Sequence, residues 1–243
     1  MFQPRLALAS LSGESDAAWA LDAVDDAGIA FLGGIALDDA TREAARALVA
    51  RDRNEFLPDD PVGFVDDQLA RLDDAPIRAG FNVRSATLDP IRAAARVCAD
   101  HDAVLEINAH CRQDEMCAVG AGESLLRDPD RLADQVAAAA DAGATVSVKV
   151  RAELDGVDLP ALARTVEAAG ADLFHVDAMD SEHVVADVVD AADLFVVANN
   201  GVRDAATVRE YLAYGADAVS VGRPSDDPVV RKRVSAAVEG WFA

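Results

Sequence analysis

Three groups of residues in this 243-residue chain have types and spacings that could do chemistry. The first centres on Lys149 in "TVSVKV" (145–150), one of only two lysines in the chain. Strand alternation puts Thr145, Ser147 and Lys149 on one face and Val146, Val148 and Val150 on the other. An ammonium carried into an apolar interior needs a hydrogen-bonding or negative partner. A ligand carbonyl or partial anion would serve, and so would an inward acid such as Glu106 or Asp177. The second group is "EINAHCRQDEMCAVGAGESLL" (106–126), with Asn108, His110 and Cys111 after a short apolar run. A cysteine on such a loop suits proton donation or nucleophilic attack, and the Gly120-Ala121-Gly122 stretch lets backbone approach a ligand. The third is a pair of loops, "VVANNGV" (196–202) and "AVSVGRP" (218–224). Their small residues expose backbone N–H groups and Arg223 adds a charge-assisted contact, a combination suited to phosphate.

A metal site is not expected. His110, Cys111 and Cys117 offer three ligands, but C-x5-C is not a zinc spacing. Cys98 and His101 fall at the end of the preceding helix, across the fold from the loop. Cys98 reads as core packing and Cys117 as a small buried apolar group.

Short β-rich runs must position these residues: 5–9, 29–33, 77–83, 103–108, 145–150, 172–178, 193–199 and 217–222. Between them lie helical spacings, notably "SDAAWALDAVDDAG", "DPIRAAARVCADH", "DPDRLADQVAAAADAG", "DLPALARTVEAAG" and "DAATVREYLAYG". Each opens on a potential Ser or Asp N-cap, and several close on Gly. The cadence predicts eight βα units closing into a single-domain (β/α)8 barrel. A Pro- and Asp-rich excursion over 52–75 carries its own short helix, and a C-terminal helix fills 226–243. The alternative is a doubly wound open sheet, but "LASLSGESD" is a poor match to its glycine-rich first turn. In a barrel the strand C-termini share one rim, where active sites form. That rim would collect Ser10, Gly33, Gly34, Asn82, Asn108, His110, Cys111, Lys149, Arg151, His175, Asp177, Asn199, Asn200, Gly222 and Arg223.

Composition narrows the setting. Forty-four acids, 33 of them Asp, face 22 bases, 20 of them Arg, for a net charge of −22. Abundant short carboxylates with almost no lysine fit a halophilic protein. Such a surface repels nucleic acid unless salt screens it. The chain has no apolar run of membrane-spanning length and no leader-like start, so a cytoplasmic location is expected.

Taken together, the residues resemble the dihydrouridine synthase family over about 100–225. The family's N-x-G-C-P loop and later G-x-G/S-x-x-L-L are echoed by Asn108–Arg112 and by Gly120–Leu126. "VSVKVR" resembles the family strand with the flavin-contacting lysine, and His175 stands where the family histidine follows the sixth strand. "VVANNGV" and "GADAVSVGRP" resemble the family's last two loops. The resemblance implies an FMN-dependent oxidoreductase of the tRNA-dihydrouridine synthase type, with NADPH or NADH as reductant. Hydride would pass from reduced flavin to a pyrimidine C=C bond while Cys111 protonates the other carbon. Asn108 and Lys149 would share the catalytic work. Lys149, His175, Asn199, Asn200, Gly201, Gly222 and Arg223 would hold the cofactor. His110 and Arg112 stand where the family loop has Gly and Pro, and "HVDAMD" replaces the family's His-Gly-Arg-Thr. The family's C-terminal RNA-binding domain has no counterpart in the sequence. The substrate is then tRNA or a free pyrimidine, the latter as in dihydroorotate dehydrogenase. A barrel that has lost flavin and activity is the remaining alternative.

Overall fold

The computed structural model describes residues 1–152 and 154–243. Eight strands form a closed parallel barrel in chain order: β1 (Leu6–Leu8), β2 (Ile29–Ala36), β3 (Arg78–Arg84), β4 (Val104–Ala109), β5 (Thr145–Arg151), β6 (Leu173–Asp177), β7 (Phe195–Asn199) and β8 (Ala218–Val221). All eight coincide with the runs read from sequence. The barrel closes where β1 pairs with β8, Leu6 opposite Val219 and Leu8 opposite Val221.

Ten helices lie among the described residues: α1 (Ala17–Leu21), α2 (Asp39–Val49), α3 (Pro61–Ala70), α4 (Leu88–Asp100), α5 (Asp114–Ala118), α6 (Pro129–Ala140), α7 (Leu159–Ala168), α8 (Val184–Ala191), α9 (Ala205–Ala213) and α10 (Pro228–Phe242). Aspartate begins most of them for a physical reason. Its carboxylate accepts one of the backbone N–H groups that a first turn leaves free. Asp38, Asp60, Asp128, Asp158, Asp204 and Asp227 all cap in this way. Part of the aspartate excess thus has a local structural use as well as a surface one.

Two boundaries differ from expectation. The helix expected over 15–28 ends at Leu21, after which Ala23 and Asp26 donate to carbonyls only three residues back. Asp26 is drawn inward to the Nε of Arg231, at 3.1 Å, on α10. The last helix begins at Pro228, after a 3-10 turn over Arg223–Asp226. The excursion after β2 does carry a helix, α3.

Strand alternation divides β5 as predicted. Val146, Val148 and Val150 pack in the main core between barrel and helices, while Ser147 turns inward to Glu106. The floor of the barrel is apolar, built from Ala7, Ile29, Phe31, Val104, Leu173, Val197 and Ala218. Polar side chains begin one layer higher, where the Phe31 and His175 rings stack at 5.4 Å between centroids. Cys98 is buried in the core on α4.

Candidate functional site

Register brings the polar residues of β4, β5 and β6 side by side. Asn108 lies opposite Lys149, and Lys149 opposite His175; one layer up, Arg151 lies opposite Asp177 and Asp177 opposite Asn199. All sit toward the C-terminal ends of their strands, on the rim where barrel chemistry is placed.

Glu106 anchors the lower layer. It accepts from Asn82 Nδ2 at 2.8 Å and Ser147 Oγ at 3.2 Å, and is hydrogen-bonded to His175 Nδ1 at 2.7 Å. Burial alone would raise its pKa, but His175, Lys149 and the Asn82 amide outweigh that and hold it below the ordinary carboxylate value. His175 is fully buried, with its other nitrogen bonded to Ser220 Oγ at 2.8 Å. Burial lowers its pKa, against the pull of Glu106.

From Glu106 a directed chain runs to the cysteine loop. Asn82 donates to Glu106, and Asn108 donates to Asn82 Oδ1 at 2.8 Å. Asn108 Oδ1 then accepts from the backbone N–H groups of His110, at 3.1 Å, and Cys111, at 2.8 Å. Asn108 therefore shapes the turn that presents Cys111. Gly122 closes the turn from the other side, since a Cβ there would lie 2.2 Å from the Cys111 carbonyl oxygen. Its φ of +64° is one that side chains disfavour.

Across the rim, His110 Nε2 meets Asp177 Oδ2, and Asn200 Nδ2 donates to Asp177 Oδ1 at 2.6 Å. Burial opposes ionisation of Asp177, but His110, Asn200 and Lys149 together hold its pKa well below the usual range. His110 itself is pushed down by burial, against the pull of Asp177.

Lys149 lies between these two acids. It is 4% exposed and makes no hydrogen bond or ion pair among the described residues. Both candidate acids are engaged elsewhere, Glu106 by His175 and Asp177 by His110. Burial pushes the lysine pKa down, and the more distant attraction of Glu106 and Asp177 does not restore it.

Two adjoining cavities open at this point. One, of about 490 Å³, lies toward β1, β7 and β8 and is lined by Lys149, Asn199, Asn200, Gly201, Gly222 and Arg223, among others. The other, of about 430 Å³, lies toward the cysteine loop and includes Asn108, Cys111 and Arg112. Ser10, His110, Lys149, Asp177, Asn200 and Arg223 line both, so the mouth is one continuous depression. Of the residues given a catalytic or cofactor role from sequence, only His175 lines neither cavity and supports the floor beneath; of the other expected rim residues, Gly33, Gly34 and Asn82 also lie outside both.

The mouth reverses the charge of the chain. Lys149, Arg53, Arg112, Arg151, Arg203 and Arg223 line it against Glu55 and Asp177 among the described residues. Among the described residues Arg53, Arg112, Arg203 and Arg223 form no ion pair, whereas Arg151 donates to Glu123 at 3.0 Å. Sequence reading missed Arg203, Arg53 and the Arg84–Glu55 pair. The Arg203 signal was available, two residues beyond Gly201 in the same loop.

Comparison with known proteins gives this arrangement its context. The family model for dihydrouridine synthase matches residues 83–241, which includes every cavity-lining residue except those that follow β1, Ala9 to Ser12, and Arg53 and Glu55 of the excursion. The chain belongs to the dihydrouridine synthase family. It is 26% identical over 232 residues to an uncharacterized protein of Methanocaldococcus jannaschii, covering 90% of this chain and 88% of that one. It is 28% identical over 171 residues to tRNA-dihydrouridine synthase B of Xanthomonas campestris pv. campestris, and equally to that of Xanthomonas axonopodis pv. citri. These alignments cover 64% of this chain and 52% of each synthase. The chain thus spans about half the length of the synthases it matches. No helix among the described residues is long and apolar enough to cross a membrane.

Proposed function

We propose that the protein reduces a pyrimidine C=C bond in tRNA, with FMN held beside Lys149 and Cys111 as the proton donor. The observation that carries this reading is the Lys149 side chain, 4% exposed, with no hydrogen bond or ion pair among the described residues and lining two connected cavities. The walls also fit a flavin nucleotide. A Cβ added at Gly222 would meet nothing within 4 Å, and one at Gly201 would meet only the Arg203 guanidinium, at 3.9 Å. That leaves room for a phosphate against the backbone, with Arg203 and Arg223 to neutralise it.

When bound, the flavin would supply the electrons of the reduction, replenished by NADPH or NADH. Lys149 would present its ammonium to the electron-rich edge of that cofactor, and the contact would relieve the lysine's own desolvation. Asn199 and Asn200 form the adjacent wall, and Asn200 also fixes the Asp177 carboxylate. His175 acts from below by holding Glu106, whose field reaches Lys149. Asn108 holds the loop, and Cys111 keeps a proton at Sγ on the opposite cavity. Arginines without ion-pair partners around the mouth favour a phosphate-bearing substrate over a free pyrimidine, because RNA affinity rests on phosphate neutralisation.

The reading is tested in two steps. Purified protein titrated with FMN should quench the flavin fluorescence at one-to-one stoichiometry; no binding would leave a barrel without its cofactor. Unmodified tRNA incubated with the protein, FMN and NADPH should then gain dihydrouridine by mass spectrometry, and Cys111→Ala should remove that product while leaving FMN affinity unchanged. Reduction of free uridine or orotate but not of tRNA would move the assignment to a small-molecule reductase.

A further inference from the structure

One ring at the mouth is oriented for a task not yet assigned. His110, beside Cys111 on the loop after β4, lines both cavities and keeps 31% of its side chain exposed. Its Nε2 lies 2.5 Å from Asp177 Oδ2. The other oxygen of Asp177 accepts from Asn200 Nδ2 at 2.6 Å and from the Met179 backbone N–H at 3.4 Å. An ionised carboxylate can only accept, so the hydrogen between the two residues belongs to Nε2. Burial, with Lys149 behind it, disfavours a second hydrogen on the ring against the pull of Asp177. An uncharged ring with Nε2–H carries a bare lone pair at Nδ1. That nitrogen has no hydrogen-bond partner among the described residues.

We infer that His110, its tautomer fixed by Asp177, presents Nδ1 as a hydrogen-bond acceptor to the N3–H of a uracil ring and so selects uracil over cytosine. Uracil brings a hydrogen to that point. Cytosine brings a second lone pair, and two acceptors face to face repel. His110 is then a specificity-determining residue that touches the substrate, and Asp177 is the positioning residue behind it.

The rest of the mouth is rich in donors and poor in free acceptors. Lys149, Arg53, Arg112, Arg151 and Arg223 can all meet a carbonyl oxygen. The acids are committed, Asp177 to His110 and Asn200, and Glu55 to both terminal nitrogens of Arg84. Asn108 Oδ1 holds the loop N–H groups, and Gln113 Oε1 accepts from Arg51. Ser10, Ser12 and the Asn200 oxygen sit on the loops after β1 and β7, each three strands from β4 around the closed barrel. A base placed for Cys111 therefore finds its free ring acceptor on the cysteine's own loop, at His110.

The inference rests on the proposed reductase reading for the base that enters the cavity, while the tautomer belongs to the ligand-free protein. There, 15N NMR near neutral pH, with His110→Gln identifying the signal, should show a hydrogen on Nε2 and none on Nδ1. The reverse tautomer, or hydrogens on both nitrogens, would overturn the inference. With FMN present, titration with uridine and cytidine 5′-monophosphates should favour the uridine nucleotide roughly tenfold, and that nucleotide alone should move the Nδ1 signal. His110→Ala should bring the two nucleotides level. Asp177→Asn is the sharper variant. The Asn200 and Met179 donors retain its oxygen, so its amide nitrogen faces His110 and donates. The ring hydrogen then moves to Nδ1, and the preference should reverse toward cytidine. Should Asp177→Asn fail to fold, His110→Ala decides. A uridine preference kept by either folded variant, or a wild type that binds both nucleotides equally or neither, would overturn the inference. If tRNA still gains dihydrouridine in that case, the reductase reading stands without it. A preference that reverses in a protein unable to reduce tRNA would keep the base selection and remove the reductase reading.

Discussion

Replacing Lys149 with methionine separates a structural lysine from a ligand-binding one, because the two roles predict opposite changes in stability. The folded-state pKa of Lys149 lies below its ordinary value, since burial outweighs the attraction of Glu106 and Asp177. A lowered lysine pKa means that the charged form is disfavoured by folding. That penalty is present in full below the folded-state pKa and fades as pH rises from there toward the ordinary lysine value, above which the unfolded chain also loses its proton. Each unit of lowering corresponds to about 1.4 kcal/mol. Methionine nearly conserves the volume, so Lys149→Met should stabilise the ligand-free protein by on the order of 1 kcal/mol, which raises Tm by about 2–4 °C. The same change removes a charge-assisted hydrogen bond to flavin, worth about 1.5–3 kcal/mol, so FMN affinity should fall roughly ten- to a hundredfold. Thermal melts without ligand and fluorescence titration with FMN measure the two effects, and exposed Lys232→Met should change neither. A lower Tm with unchanged FMN affinity would refute the argument and make Lys149 a purely internal counter-charge.

Gly122→Ala should destabilise the cysteine loop by about 1–3 kcal/mol, since it adds both a positive-φ residue and a contact at 2.2 Å with backbone; an unchanged denaturation midpoint would contradict the close approach. Asn108→Ala frees two loop N–H groups and should increase hydrogen exchange at His110 and Cys111, while Asn108→Asp keeps that acceptor and should spare them. His101 is bonded at Nε2 to Asp66, at 2.9 Å, and at Nδ1 to Asp73, at 2.7 Å; the Asp66 bond above all raises its pKa despite burial. Its contribution is therefore complete below the ordinary histidine value near 6.5 and is lost as pH climbs through the higher folded-state value. The Tm gap between wild type and His101→Gln should narrow from pH 6 to pH 9, and a constant gap would refute the linkage.

The strands, their facing and the shared rim were legible because period-two alternation and Asp-to-Gly helix punctuation are local. Lys149 was legible for the same reason: an ammonium amid three valines conflicts with its surroundings at a distance of one residue. What escaped depends on closure. Arg84 finds Glu55 across 29 positions and His110 finds Asp177 across 67, and neither separation carries a periodic signal. His175 looked like a rim residue from its place near a strand end; it shares a layer with Lys149, but its ring is absorbed by Glu106 and Ser220 and lines neither cavity. The shortened α1 reflects a tertiary partner, Arg231, which no window of local sequence contains.

With a net charge of −22 and arginines gathered at one end, the molecule is a strongly dipolar particle. A polyanion drifting in from the back or flank meets repulsion and is turned until the mouth faces it, so orientation is selected before any contact is made. In molar salt that torque would fade beyond about 3 Å, and recognition would pass to whatever the last ångströms of approach can feel.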